Sequence, residues 1–259
     1  MPRVIAGGAG GRTLRAPEGE GTRPTGDRAK EAMFSVIGAR MSFAEARVLD
    51  LFAGSGQLGI EALSRGAKHC VFVERSAAAA KIIRDNLQAC DFTKQGEVRK
   101  GTIKAALRAL SERKRDRTLV SETERLSVDS AELEGFDLVF MDPPYHEADL
   151  EFAWISQRLV SEGLLNDGAL LVLEHDPAQH SVNQERGIKL PGKDKNKSSD
   201  RGVLDLDVTH LKLVKHCKYG MTVVSFFMYS QLYDDGLPDD VAVERSQVND
   251  ENLDLSGHV

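Results

Sequence analysis

The segment DPPY at residues 142–145 follows a strongly apolar run and combines an acid, two prolines and an aromatic ring. An ordinary turn would have the same composition, since Asp and Pro are common turn residues. The segment is also suited to binding an exocyclic amine. The Asp142 carboxylate and the Pro143 carbonyl can accept the amine hydrogens, and prolines bring no competing N–H group. Tyr145 can stack on the ring that carries the amine.

A glycine-rich loop, DLFAGSG at residues 50–56, ends an apolar run and precedes a helical pattern. Together with Gly59 it approximates the GxGxxG pattern of dinucleotide sites, which is a weak signal when it stands alone. Glu74 lies 20 positions after Gly54, where an acid can accept hydrogen bonds from a ribose diol. A steric turn is the other explanation, but the position of the acid favours a cofactor that contains a nucleoside.

Asp50, the first residue of this loop, favours one such cofactor over another. NAD would bring a pyrophosphate to the start of the following helix, close to the negative charge of Asp50. S-adenosylmethionine brings an ammonium and a sulfonium, which a carboxylate stabilises. The loop residues Gly54, Ser55 and Gly56 would let the backbone approach the methionine part. The predicted cofactor is therefore S-adenosylmethionine.

Strand and helix patterns alternate along the chain around these motifs. Strands are predicted at 46–50, 68–75, 97–101, 136–142 and 168–176, helices at 57–66, 76–90, 102–110 and 149–162, and two closing strands within 203–229. This alternation indicates an α/β fold whose mostly parallel sheet is covered by helices on both faces. Since the carboxyl ends of parallel strands share one edge, Asp50, Glu74 and Asp142 are expected there together.

Residues 1–24 are predicted to form a small hairpin arm in front of this fold. Two short apolar segments flank a glycine-rich turn, as in a β-hairpin. An amphipathic helix at 26–41 follows, and we expect its cap near Thr25 or Asp27.

The main domain is predicted to span residues 25–232. Within it, the charged and Ser/Thr-rich stretch at 111–134 is interpreted as a polar surface insertion. The acidic tail at 233–259 is expected to be disordered. Trp154 lies in an amphipathic helical pattern, which predicts a place in the core.

The composition favours one substantial core, since the chain has 259 residues of which 41% are hydrophobic. No apolar stretch reaches the length of a membrane span and the N-terminus lacks the apolar segment of a signal peptide, so a cytoplasmic protein is expected. Cys70, Cys90 and Cys217 are far apart and predict buried reduced thiols, with neither a disulfide framework nor a zinc site. A monomer is the default expectation.

The net charge of −6 is unevenly distributed along the chain. Residues 233–259 carry a balance of −7, whereas residues 1–40 carry +3. Phosphate contacts are expected from the arginines of the arm, which are Arg3, Arg12, Arg15 and Arg23. For any single arginine a solvated surface is an equally good explanation. A folded RNA fits better than duplex DNA, since a loop base is the easiest to extrude into a pocket.

Several motifs together resemble a known family. DPPY and DLFAGSG resemble the methyltransferases that modify the amines of adenine, cytosine or guanine. With RPTGDRAKEAMF at 23–34 and EALSRGA at 61–67, the sequence closely resembles the bacterial small-subunit ribosomal RNA guanine methyltransferases of the RsmD family. The resemblance covers about residues 3–110 and 135–230, and it is specific because the motifs occur in the same order.

This resemblance implies a Rossmann-like, S-adenosylmethionine-dependent methyltransferase with a small N-terminal β-hairpin, acting on small-subunit ribosomal RNA or a partly assembled subunit. The residues that would hold the target guanine, whose amine receives one methyl group, are Asp142, Pro143, Pro144 and Tyr145. The residues that would lie near the cofactor and the target are Thr25, Asp27 and Arg28. Thr102 stands where the family often has an Asp or Asn for the cofactor's adenine.

Other functions stay open at this point. A DNA or RNA adenine or cytosine amino methyltransferase would use the same DPPY segment, although no separate DNA-reading domain is evident. A catalytically silent RNA-binding assembly protein would keep the fold without the reaction, and the intact DPPY segment argues against it. A dehydrogenase would have no use for that segment.

Overall fold

The computed structural model describes residues 1–17, 26–118, 135–143, 148–175, 210–219 and 222–234. Within them the helices are α1 (Asp27–Gly38), α2 (Gln57–Ser64), α3 (Ala77–Ala89), α4 (Ile103–Thr118) and α5 (Ala148–Ser161). The strands are β1 (Arg47–Leu51), β2 (His69–Glu74), β3 (Gly96–Lys100), β4 (Phe136–Met141), β5 (Leu165–His175), β6 (Leu211–Tyr219) and β7 (Thr222–Tyr229). None of the described helices combines the length and apolarity needed to cross a bilayer.

The strands form one seven-stranded sheet in the order β3-β2-β1-β4-β5-β7-β6. The first five strands of the chain run parallel, and β7 lies antiparallel between β5 and β6. The strand order reverses between β1 and β4, and open α/β sheets bind their ligands at the carboxyl ends beside such a point. The predicted α/β, Rossmann-like fold with a mostly parallel sheet is confirmed.

The two faces of the sheet carry separate hydrophobic layers. On one face the arm, α1, α2 and α3 pack around Val48 and Phe140. On the other face α4 and α5 pack around Leu49 and Val139. Because side chains alternate along a strand, Asp50 points to the same face as Val48, the face that the arm covers.

The arm folds back on itself as a hairpin with one antiparallel bridge, between Arg3 and Thr13. It buries Leu14 completely against the sheet. At Gly7 the φ angle is +84° and a Cβ atom would lie 1.8 Å from the Ser64 carbonyl oxygen, so this close approach to α2 requires glycine. The hairpin predicted from the sequence is present, although it has a single bridge where two short strands were expected.

A buried ion pair joins the arm to α1 and α2. The side chains of Lys30 and Glu61 are fully buried, and Lys30 Nζ lies 3.8 Å from Glu61 Oε2. Glu61 also accepts hydrogen bonds from Arg65 Nε at 2.8 Å and from the Ile5 N–H at 2.7 Å. Lys30 donates a hydrogen bond to the Arg3 carbonyl. An amphipathic pattern predicts that charged positions face solvent, whereas both of these side chains are buried.

The fourth helix is longer than the sequence pattern predicted. It ends at Thr118, whereas the sequence pattern predicted an end at residue 110, so the first part of the polar stretch at 111–134 belongs to the helix. Arg115 pairs with Glu162 at 2.7 Å, which ties the charged half of α4 to the end of α5. Helices rich in Arg, Lys and Glu are stable once such contacts fix one side of them. Residues 119–134 lie outside the described part of the chain.

The expectation that Trp154 lies in the core is wrong. Its side chain lies on α5 and the residue is 39% exposed. The apolar stripe of this helix is formed by Phe152, Ile155 and Leu159, which are almost completely buried against β4 and β5. Trp154 is adjacent to the stripe in sequence, but the 3.6-residue period of the helix turns it towards solvent.

Two smaller expectations also differ from the structure. The cap of α1 is Gly26, and Asp27 is the first residue of the helix. Cys70 and Cys90 are buried free thiols as predicted, whereas Cys217 is only half-buried.

Candidate active site at the carboxyl edge of the sheet

Three acids predicted as site residues lie at one edge of the sheet. Asp50 is the second-to-last residue of β1, Glu74 ends β2, and Asp142 directly follows β4. Because β1 lies between β2 and β4 and runs parallel to both, these strand ends are neighbours. The structure therefore brings Asp50 and Glu74 beside Asp142, the first residue of the DPPY segment.

Asp50 is only 3% exposed and lies under the glycine-rich loop. Its Oδ2 accepts a hydrogen bond from the Gly59 N–H in the first turn of α2, at 3.0 Å. Burial raises the pKa of Asp50 to about 8, Glu74 adds to the increase, and the bond from Gly59 opposes it. A cation bound beside this carboxyl group would stabilise its charged form and lower its pKa.

The loop after β1 has an unusual backbone. Phe52, a bulky residue, has a φ angle of +59°, a conformation that is uncommon outside glycine and concentrates at functional sites. Gly56 caps α2 with a φ angle of +76°, and a Cβ atom there would lie 3.1 Å from Ile83 Cγ2. The loop thus turns sharply at the start of α2 and leaves its backbone groups at the edge where a cofactor can approach.

Glu74 holds the two loops that follow β1 and β2. Its Oε2 accepts from the Gly54 N–H at 2.9 Å, and its Oε1 accepts from the Ser76 N–H at 2.7 Å. The side chain stays half-buried, so remaining lone pairs of the carboxylate face solvent and can accept from ribose hydroxyls. Thr102 is exposed beside this edge, and its hydroxyl accepts from the Ala105 N–H at the start of α4.

Asn86 was missed in the sequence, although it connects the arm to the cofactor loop. The residue is 1% exposed. Its Nδ2 donates to the carbonyls of Arg15 and Ser55, both at 2.9 Å, and its Oδ1 accepts from the Arg15 N–H at 2.8 Å. An asparagine in an otherwise apolar helix face was the only available signal.

Asp142 is half-buried and Pro143 is buried, at the point where β4 meets the edge. Burial raises the pKa of Asp142 well above its usual range, and the neighbouring carboxyl groups of Glu174 and Asp50 raise it further. Glu174 was not predicted as a site residue. It ends the apolar run of β5 much as Asp142 ends that of β4, which is the signal that the sequence offered.

The three arginines in the described part of the arm lie at the surface in ion pairs. Arg3 pairs with Asp27 at 2.7 Å, and Arg12 pairs with Asp91 at 2.9 Å. Arg15 approaches Asp85 to 3.3 Å. All three guanidinium groups keep much of their surface exposed to solvent, so phosphate contacts by the arm stay a prediction.

The remaining predicted site residues are exposed on α1 or lie outside the described part of the chain. Arg28 is exposed on the first turn of α1. The predicted residues that fall outside the described part are Arg23, Thr25, Pro144 and Tyr145. Their roles stay predictions.

Comparison with known proteins identifies the family. A family model described as "Conserved hypothetical protein 95" matches residues 2–203. The chain belongs to this family. The "Putative rRNA methyltransferase YlbH" of Bacillus subtilis (strain 168) is 41% identical over 175 residues, which are 67% of this chain and 82% of that protein. The "Ribosomal RNA small subunit methyltransferase D" of Haemophilus influenzae is 37% identical over 192 residues, 74% of this chain and 87% of that protein.

The predicted membership in the RsmD family is thereby confirmed. The "Ribosomal RNA small subunit methyltransferase D" of Escherichia coli (strain K12) is 31% identical over 192 residues and has 83% of its length covered. Among solved structures, "Putative methyltransferase yhhF from Escherichia coli" superposes with a TM-score of 0.61 at 24% identity, covering 88% of this chain and 98% of that one. That likeness shows a methyltransferase fold for this member of the RsmD family.

Proposed function

We propose that this protein transfers a methyl group from S-adenosylmethionine to the exocyclic amine of a guanine in bacterial small-subunit ribosomal RNA. The observation that carries the proposal is the position of Asp142, directly beside the glycine-rich loop at the carboxyl edge of the sheet. The names of the relatives support ribosomal RNA as the substrate. The expected place of action is the cytoplasm.

The residues at this edge fit S-adenosylmethionine. When bound, this cofactor supplies an activated methyl group on a positively charged sulfur. Asp50 provides a negative charge for the cationic methionine part, and its raised pKa of about 8 reflects a buried site that a cation would stabilise. Glu74 accepts from the ribose hydroxyls, and the loop from Gly54 to Gly56 lets the backbone lie against the cofactor. Thr102, which follows β3, would lie near the adenine of the cofactor.

Asp142 and Pro143 orient the target amine. The lone pair of an exocyclic amine is delocalised into the base, so the amine must become pyramidal before it can react. The Asp142 carboxylate and the Pro143 carbonyl accept its hydrogens and direct the lone pair towards the cofactor side of the edge. By residue type, Pro144 is predicted to restrict the backbone of the segment and Tyr145 is predicted to stack on the base.

The arm extends the site towards the rest of the RNA. It lies on the face of the sheet to which Asp50 points, and its guanidinium groups are exposed. Arginines in this position bind phosphates without reading sequence. A base in an RNA loop enters the pocket at little cost, because it is already unstacked.

The test is methyl transfer from labelled S-adenosylmethionine to bacterial small-subunit particles and to naked ribosomal RNA, followed by nucleoside analysis. We expect labelled guanosine with one methyl group on the amine, and a loss of about 1,000-fold in the Asp142→Ala variant, of the size seen when a positioning group is removed. Label on adenine or cytosine would contradict the guanine assignment. Cofactor and RNA binding without transfer would establish a silent assembly protein instead.

A further inference from the structure

Asn86 lies on α3 between the arm and the cofactor loop, which is the segment from Gly54 to Gly56. The residue is only 1% exposed, so its amide group must find its hydrogen-bond partners within the protein. Its Nδ2 donates one hydrogen to the Ser55 carbonyl, in the middle of the loop, at 2.9 Å. The position of that carbonyl is therefore set from α3.

The cofactor loop is rich in glycine and depends on bonds from its neighbours. The φ angles of its two glycines are both positive, +54° at Gly54 and +76° at Gly56, and glycine has the largest backbone freedom of all residues. The Gly54 N–H donates to Glu74 at 2.9 Å, which holds the loop from β2. The bond from Asn86 holds the carbonyl between the two glycines from the side of α3. Without this bond the peptide group behind Gly56 could turn.

The arm fixes the orientation of the Asn86 amide. Its Oδ1 accepts from the Arg15 N–H at 2.8 Å, and its Nδ2 donates to the Arg15 carbonyl at 2.9 Å. An amide rotated by half a turn would place its oxygen against two carbonyls and its NH2 group against an N–H. Only the observed orientation allows all three bonds. The backbone of Arg15 thus keeps the NH2 group of Asn86 directed at the Ser55 carbonyl.

The other contacts of the arm with this part of the molecule lie at the surface. Arg12 pairs with Asp91, just after α3, at 2.9 Å, and the Arg15 guanidinium approaches Asp85 to 3.3 Å. Exposed ion pairs contribute little to stability. A buried polar group that loses its partner is costly, so the Asn86 amide is the contact through which the arm affects the loop most strongly.

We infer that Asn86 is a positioning residue for S-adenosylmethionine, and that the arm is part of the cofactor site through the Arg15 backbone. Asn86 acts through the Ser55 carbonyl. It keeps the cofactor loop ordered before binding, so the cofactor does not have to order the loop itself. The inference goes beyond the proposed function, in which the arm only holds RNA. It rests on the cofactor and not on the identity of the target base.

The first test compares Asn86→Ala with Asn166→Ala. Asn166 is a matched control, because its amide also connects two segments. It accepts from the Gly135 N–H at 2.8 Å, and it donates to the Gly135 carbonyl at 3.2 Å and to Asp137 at 2.7 Å. Asn166 lies at the start of β5, at the edge of the sheet opposite to the cofactor loop.

Binding of S-adenosylmethionine is measured by calorimetry without RNA, below the melting temperature of each variant. The KM for the cofactor and kcat are measured with small-subunit particles. We expect Asn86→Ala to bind the cofactor about tenfold more weakly and to raise its KM by the same factor, as for the loss of one partner of a buried group. Its kcat at saturating cofactor should stay near that of the wild type, since bound cofactor restores the loop. Asn166→Ala should lose stability but keep the wild-type affinity.

Wild-type cofactor affinity in Asn86→Ala would overturn the inference. An equal loss of affinity in Asn86→Ala and Asn166→Ala would also overturn it, because the effect would then follow from stability alone. A wild type that binds the cofactor but methylates no guanine would instead overturn the proposed function and leave this inference in place.

A second pair of variants tests the part of the arm without changing α3. Arg15→Pro removes the N–H that Asn86 accepts, whereas Arg15→Ala keeps it. Both variants lack the guanidinium group, so they differ in the backbone bond. Without RNA, Arg15→Pro should bind the cofactor more weakly than Arg15→Ala by about threefold or more, as for the loss of one hydrogen bond. Equal affinities would exclude the arm from the cofactor site.

Discussion

Glu61 and Asp50 are both buried carboxyl groups on the arm side of the sheet, and their surroundings are opposite. Glu61 lies between Lys30 and Arg65 and accepts backbone N–H groups of the arm. Asp50 accepts one N–H, from Gly59, and its acidic neighbour Glu74 raises its pKa further.

The difference separates an acid that the fold itself compensates from an acid for which we propose a role in cofactor binding. The fold itself supplies the positive charges that compensate Glu61, so this group is part of the attachment of the arm. Asp50, Asp142 and Glu174 instead lie together at the edge of the sheet. Both Asp50 and Glu174 raise the pKa of Asp142. The raised pKa values of Asp50 and Asp142 mean that a cation bound beside them would stabilise their charged forms.

The largest effect on stability should come from Glu61. Changing Glu61→Gln leaves the buried ammonium of Lys30 without its partner, which typically costs about 3–5 kcal/mol. The free energy of unfolding, measured by urea titration, should fall by that amount. The double variant Lys30→Met with Glu61→Gln should recover part of the loss, since no uncompensated charge is left. A loss below about 1 kcal/mol in the single variant would contradict the structural role.

In contrast to Glu61→Gln, the change Asp50→Asn should raise the free energy of unfolding. The pKa of Asp50 is raised from 3.8 to about 8, so the folded protein holds this proton to higher pH than the unfolded chain does. The stability from this group is full below about pH 4 and is lost as the pH rises to about 8. The uncharged variant should melt about 5 °C above the wild type near pH 8, as expected for one to two kcal/mol in a domain of this size. Equal melting differences near pH 4 and pH 8 would contradict the assignment.

Cofactor binding should release the proton of Asp50. The cationic cofactor favours the charged form of Asp50, so binding releases one proton. The affinity for the cofactor should therefore rise by about tenfold between about pH 6 and about pH 7. Calorimetry in buffers of different ionisation enthalpy should show about one proton released per cofactor bound near pH 6.5. Asp50→Asn serves as the control and should release none. Equal release by both proteins would place the titrating group elsewhere.

The smallest effect on stability should come from the arginines of the arm. Arg12→Ala breaks an exposed ion pair with Asp91, and such pairs contribute about 0.5 kcal/mol or less. Its affinity for RNA should nevertheless fall, and the salt dependence of binding should decrease by about one counterion. Arg108→Ala is the matched control, since Arg108 forms an exposed pair with Glu112 on α4, at the opposite face of the sheet. Equal RNA affinity in both variants would exclude a phosphate contact by Arg12.

The fold was largely readable from the sequence, because strong local patterns determine it. The strand β4 ends in the apolar run at 138–141, and Ser76, a residue type that favours helix caps, caps α3 by accepting from the Ala79 N–H. The charged half of α4 and the exposure of Trp154 were not readable. Both depend on how a helix lies against its neighbours, which a pattern within one segment does not contain.

The site residues could be predicted where each one lies in or directly after a recognisable strand or loop pattern. Asp50, Glu74 and Asp142 follow apolar runs, and the rule for parallel strands brings them to one edge. The sequence offered only weak signals for Glu174 and Asn86, and their positions became clear from the register of β5 and the docking of the arm. Lys30 was unexpected, because a charged residue within a helix is normally solvated and its buried partner Glu61 is 31 positions away.

The bonds of Asn86 have a practical consequence for anyone who shortens or exchanges the arm. A truncation intended to weaken only the hold on RNA would also remove Arg15 from Asn86, the same amide that donates to the Ser55 carbonyl in the cofactor loop. The shortened protein should therefore also lose affinity for the cofactor, because the position of its loop depends on the same amide. An arm transplanted from a relative will work only when α3 of the recipient offers the matching amide.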